Sequence, residues 1–445
     1  MSLPSQPLSP DSLPSVTTRK TFIGALVAAL AVSAGGGRTS AAASAGRRKT
    51  VLLHSAWDTI NIGDIGHTPG TLRIIEQYLP EVHVILWASK IDERVRAMIL
   101  RRFPKVEIVQ GSLAGKEPAD DRLRAAIDRC DLFIRNSGMG QDTAFMSYCR
   151  ARGKPYGLYG QSYFASMVEG KGAEERIALL NAAAFIYTRE TKTLAILRAA
   201  GVKPPVLEFA PDGCFGIDVR DEARGLAFLR RTGLADRKFI TVELRTNTPK
   251  FPGVDDTRTP KLNPLHPTPA QVADDERRAG VYRTLMAEWI RRTGHKVLIA
   301  PETIKELGHN RRLLFDPLPA DLKPHVVNCD EFWNTDEAAS VFARAHTVVC
   351  HEPHSPIIAL ANGTPIVHIY SAFHGSKFWM FDDLGLGDWL LEFDSTPVEK
   401  LIATVMSIHT DYPAAQAKVA QAMSFVHERQ RQTMLAAKQT LAAAE

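Results

Sequence analysis

Cysteine is scarce in this chain: five in 445 residues, at Cys130, Cys149, Cys214, Cys329 and Cys350. The number is odd and no Cys-x-x-Cys pair occurs, so neither a disulfide framework nor a zinc-thiolate site is spelled out. Each cysteine is expected as a buried free thiol, at least one of them unpaired within the monomer. An excess of one charge is lacking too. The formal net charge is +5, and +3 once Arg19, Lys20, Arg38 and Asp11 of the first 45 residues are set aside. That balance is too mild to argue for nucleic acid and names no partner. No internal repeat occurs, and the one apolar run near the N-terminus, ending at Ala34, is too short to span a bilayer comfortably.

What is present begins with that run. Arg19-Lys20, Phe22, an Ala-rich core and Ala43-Ser44-Ala45 look like a twin-arginine export signal with Lys20 in place of the second arginine. The expectation is an exported, periplasmic protein with no stable membrane span after processing; a cytoplasmic chain with a disordered extension is the alternative.

From Lys49 onward, short apolar runs alternate with amphipathic stretches. Strands are expected at Val51 to His54, Val82 to Trp87, Val106 to Gln110, Leu132 to Arg135, Tyr156 to Tyr159, Phe185 to Thr188 and Val206 to Phe209. The rhythm restarts with Phe239 to Leu244, Lys296 to Ala300, His325 to Asn328, Thr347 to Cys350 and Ile366 to Ile369. This βαβα pattern predicts an α/β protein with two Rossmann-like doubly wound domains. The expected division is a leader at 1–46, domains at 47–235 and 236–400, and C-terminal helices at 401–445 packing across both. Thr246 to Pro269, with six prolines, is the longest irregular segment and a candidate flap.

Parallel sheets put working groups at the carboxyl ends of their strands. His351, Glu352, His354 and Ser355 fall there, after Thr347 to Cys350. Arg245 and Asn247 follow Phe239 to Leu244, and a guanidinium at that place suits a carboxylate or phosphate. His374, Ser376 and Lys377 follow Ile366 to Ile369 at the same edge. Asn61-Ile62-Gly63-Asp64 follows the first strand and opens a helix, with Pro69 expected in its first turn. Its free N–H groups, with Gly63 and Gly66 allowing close approach, suit an anion or sugar hydroxyls, although Asn61 and Asp64 equally suit capping. The stretch lacks the glycine spacing of dinucleotide binders. His351-x-x-His354 sits in a Pro-interrupted turn, so no metal is expected. Arg189-Glu190 and Asp212-Gly213 read as structural turns. Trp57, Tyr159, Tyr163, Trp333 and Trp379 are aromatic candidates for stacking on sugar or for packing.

The stretch from Cys350 to Ile369, a polar turn ending in His, a small-residue helix, Gly363-Thr364-Pro365 and an apolar strand, resembles the C-terminal signature of the polysaccharide pyruvyl transferases. Asn61-Ile62-Gly63-Asp64, Arg189-Glu190 and Asp212-centred Pro211 to Phe215 resemble that family's earlier motifs in the same order. The resemblance implies a GT-B arrangement, no cofactor, phosphoenolpyruvate as donor and a cell-surface glycan as acceptor. It gives Arg245 a donor-binding role, His354 that of general acid or donor ligand, and Lys377 that of a second anion ligand. Asp64, Glu243 and Glu352 are the candidate bases.

One departure stands out. The family's C-terminal turn usually reads Arg-x-His, and here it reads Glu352-Pro353-His354. A carboxylate repels an anionic donor, so another cation substitutes, or the reaction is a different group transfer on envelope glycans, or the chain binds glycan without catalysis. Glu352 is alternatively a structural partner for His351 or Arg245.

Overall fold

The computed structural model describes residues 47–55, 58–115, 117–140, 143–246, 268–371 and 375–444. The expected export signal, most of the expected flap, Asn247, Trp57 and His374 lie outside these residues.

Two parallel sheets carry the chain. In the first, strands Glu107–Val109, His83–Trp87, Thr50–Ser55, Leu132–Asn136, Tyr156–Gln161, Phe185–Thr188 and Leu207–Phe209 lie side by side in that order. The second runs Val326–Asn328, Lys296–Ile299, Phe239–Glu243, Thr347–Cys350, Ile366–Tyr370 and Leu390–Glu392. Val51, Leu52 and Leu53 are fully buried, as are Val348, Val349 and Cys350. Continuous apolar strands with both faces covered are what a parallel sheet between helices demands. The expected strands all form, and Leu390–Glu392 is added at the edge. All five cysteines are buried free thiols. No helix of the described residues is long and apolar enough to cross a membrane.

The first helix corrects the sequence reading. It starts at Ile62 and runs to Tyr78, so Pro69 lies two turns inside it rather than in the first turn. Gly63, Gly66, Gly70 and Pro69 all disfavour a helix interior, and here tertiary packing outweighs propensity. A Cβ on Gly70 would sit 2.2 Å from the Gly213 carbonyl oxygen, so only glycine lets this helix lie against the Asp212 turn.

The same helix start joins the two halves. Asn61 and Thr303 form an antiparallel bridge, Ile62 N donates to Glu302 O at 3.0 Å, and Ile304 N donates to Ile60 O at 2.9 Å. Thr335 Oγ1 adds a bond to Ile62 O at 2.8 Å. The expected C-terminal helix, Tyr412–Ala443, lies against Ile62–Tyr78 of the first half and His354–Ala361 of the second.

Candidate active site between the two sheets

The carboxyl ends of Phe239–Glu243, Lys296–Ile299 and Thr347–Cys350 bring Glu243, Glu302 and the His351-to-Ser355 turn together, facing the helix that carries Gly63 and His67. His354 is the junction. Its backbone N donates to Glu302 Oε2 at 3.1 Å, and its Nδ1 lies 3.1 Å from Glu302 Oε1. Ser355 N and Oγ donate to Glu302 Oε2 at 2.7 and 2.9 Å, and Ser355 Oγ reaches Glu243 Oε1 at 2.7 Å. On its other side the His354 ring meets His67 edge to face, centroids 4.6 Å apart. A Cβ on Gly63 would fall 2.3 Å from the same ring, so Gly63 is required for the two halves to close here.

His67 belongs to a second network. Its Nδ1 lies 2.9 Å from Asp212 Oδ1, Arg189 Nη1 donates to Asp212 Oδ2 at 3.1 Å, and Cys214 N donates to Oδ1 at 2.9 Å. Arg189 Nε also donates to Ser162 Oγ at 2.7 Å, and Glu190 accepts from Ser162 and Ser376, both at 2.9 Å. Burial alone would raise the Asp212 carboxyl, but His67 and Arg189 hold it far below the ordinary carboxylate range. His354 is the opposite case: burial pushes its imidazole down to about 3. Burial also pushes Glu302 and Glu306 up to about 8, each further raised by the Glu352 charge.

A third group surrounds Glu352. Arg245 Nη1 donates to its Oε2 at 2.8 Å. Burial raises the Glu352 carboxyl, but Arg245, Lys377 and Lys305 together carry it below its ordinary value. Burial likewise holds the half-buried Lys377 amine low, opposed by Glu352. Arg245 thus bonds Glu352 directly, and the Lys377 charge acts on the same carboxylate.

Residues 61–372 match the sequence model of the polysaccharide pyruvyl transferases. The chain belongs to the polysaccharide pyruvyl transferase family. It is a transferase of the polysaccharide-modifying kind. No curated protein matches the sequence. Among solved structures, S. aureus MnaA with UDP is similar at 9% identity over 84% of this chain and 91% of that one, with a TM-score of 0.52. The UDP-GlcNAc 2-epimerase of Methanocaldococcus jannaschii is similar at 13% over 80% and 92%, TM-score 0.51. Anabaena HepE in complex with UDP is similar at 13% over 87% and 98%, TM-score 0.50. At these identities the likeness shows the fold alone, two Rossmann-like halves in the GT-B arrangement.

Against the family's pattern, several expected site residues are placed differently. Asn61 Oδ1 accepts from Gly63 N and Asp64 N at 2.7 and 3.3 Å, while Ile62 N and Ile65 N are taken by Glu302 O and Asn61 O. The four N–H groups expected to bind an anion are thus already bonded, and Asn61 is a cap. Burial and the Glu302 charge raise the Glu243 carboxyl well above the ordinary range. Asp64 is half-buried, its carboxyl raised by burial against attraction from His67 and His354. His351 stacks on Phe393 with the rings 12° from parallel. Tyr159, Tyr163 and Trp333 are buried in packing, and Trp379 lies beneath the Lys192 amine at 3.2 Å. Trp333 also lines a cavity of about 710 Å³ with Arg94, Arg224 and Arg231, none of which belongs to the histidine layer.

Glu302, Glu306 and His67 were not singled out by sequence reasoning. Glu302 had a signal: it follows an apolar strand of a parallel sheet, as Arg245 does. His67, Asp212 and His354 offer atoms within 4.8 Å of one another. Both Asp212 oxygens are engaged in hydrogen bonds, which tie His67 to Arg189 and Cys214.

Proposed function

We propose that this family member transfers the pyruvyl group of phosphoenolpyruvate to two hydroxyls of a cell-surface glycan or its precursor. The observation that carries this is Arg245 bonded to Glu352, two residues from His354, with the Lys377 charge acting on the same carboxylate. Two cations acting on one acidic side chain suit an incoming carboxylate or phosphate, and a neighbouring imidazole suits hydrogen bonding to the same ligand. Glu352 holds Arg245 in the free protein, so the donor competes with it for that guanidinium.

The Arg245–Glu352 contact favours a second reading, a group transfer to envelope glycan from a donor without that anion. Phosphoenolpyruvate is a cytoplasmic metabolite, so cleavage of an export signal in 1–46 supports the second reading and its retention the first. Calorimetry decides between them. The full chain titrated with phosphoenolpyruvate binds saturably, and Arg245→Ala loses the binding, under the first reading. Absence of binding to either protein removes that donor.

A further inference from the structure

His67 and His354 each present one ring nitrogen to a buried carboxyl, and the two carboxyls differ in charge. Asp212 carries Arg189 and a backbone N–H and is ionised, so it takes a proton from His67 Nδ1 and leaves Nε2 as an acceptor. Glu302 accepts from His354 N, Ser355 N and Ser355 Oγ through Oε2, which leaves Oε1 alone against His354 Nδ1. A protonated Oε1 donates to Nδ1 and places the imidazole proton on Nε2. His354 Nε2 is buried and has no hydrogen-bond partner among the described residues, and its ring meets that of His67 edge to face.

We propose that His67 and His354 are a proton-handling pair of opposite tautomers, His67 Nε2 accepting from a sugar hydroxyl and His354 Nε2–H donating to a donor oxygen, with Asp212 and Glu302 as positioning residues. This rests on the pyruvyl transfer reading. In that reaction His67 takes the proton of the first hydroxyl and passes it to the donor methylene, whose π pair forms the C–H bond as the hydroxyl oxygen bonds the central carbon. The carbon–phosphate oxygen bond then breaks with its pair, the second hydroxyl bonds the carbon, and its proton leaves with phosphate. His67 ends each turnover neutral, so protons and electrons balance.

The groups facing the pair are Asp64 on the His67 helix, Asp212 and Cys214 on the turn against it, Arg189, and Glu302. Of these, Glu302 changes charge near pH 8. Transfer is therefore expected to fall above that pH as His354 reverses its tautomer.

The test is nitrogen-15 imidazole spectroscopy on the full chain, with His67→Asn and His354→Asn for assignment, beside a pH profile of transfer from phosphoenolpyruvate. The expected result is an Nδ1–H tautomer for His67, an Nε2–H tautomer for His354, a change of the latter above about pH 8, and loss of that change in Glu302→Gln. His67→Asn is expected to lower transfer more than 100-fold at every pH while keeping the fold. The same tautomer on both rings, or a His354 signal unmoved by pH and by Glu302→Gln, overturns the pair. Opposite tautomers in a protein that binds no phosphoenolpyruvate leave the pair standing and remove only the donor.

Discussion

Gly63 and His354 touch face to face across the two halves of the molecule, with no room for a methyl group between them. The helix of one sheet and the His354 turn of the other are locked at a single glycine. Gly63→Ala is therefore expected to cost about 1 to 3 kcal/mol, the usual range for overpacking a filled site. Thermal unfolding measures it. An unchanged melting temperature shows that the halves meet less tightly than described.

Arg245 is held by Glu352 in the free protein, so removing the carboxylate charge releases a guanidinium and an amine to an incoming anion. Glu352→Gln is expected to raise affinity for phosphoenolpyruvate at least tenfold, which is about 1.4 kcal/mol. Calorimetry of the variant beside the parent reads this directly. Equal affinities show that the ligand does not compete for Arg245.

The buried carboxyls make stability depend on alkali. Glu302 and Glu306 are raised from 4.5 to about 8 in the folded chain. A raised acid stabilises fully below its unfolded value and loses that contribution as pH climbs through the folded one, at up to about 1.4 kcal/mol per pH unit for each group. Denaturant midpoints are expected to fall between pH 6.5 and 9, and Glu306→Gln to flatten the fall. A midpoint rising over that range contradicts protonated carboxyls.

Acid acts through different residues. His346 is pushed down to about 3 by burial and by its neighbours His409 and His295, so it folds neutral. A lowered histidine contributes fully above its unfolded value near 6.5 and loses that contribution as pH falls toward 3. Between 4.5 and 6.5 this opposes the carboxyl effect, and His346→Gln separates the two: its acid slope is expected to be shallower than the parent's.

Much of the fold was legible because parallel strands buried on both faces leave uninterrupted apolar runs, such as Val51 to Leu53 and Thr347 to Cys350. Leu390–Glu392 escaped notice because it continues directly from the Gly387–Trp389 turn, with no break to mark its start. The helix start at Ile62 was obscured by glycines chosen for close approach to Gly213 and His354, distant partners that no local spacing reveals. The site was legible where a side chain follows a strand, as with Arg245 and His354. Asp212 and Arg189 read as turn residues because their meeting with His67 depends on three separate segments.

The long C-terminal helix rests on the two helices that bear His67 and His354. It thus works as a splint for the two rings: their spacing of a few ångströms is set in part by a distant segment, and shaving its apolar face would detune the pair from afar.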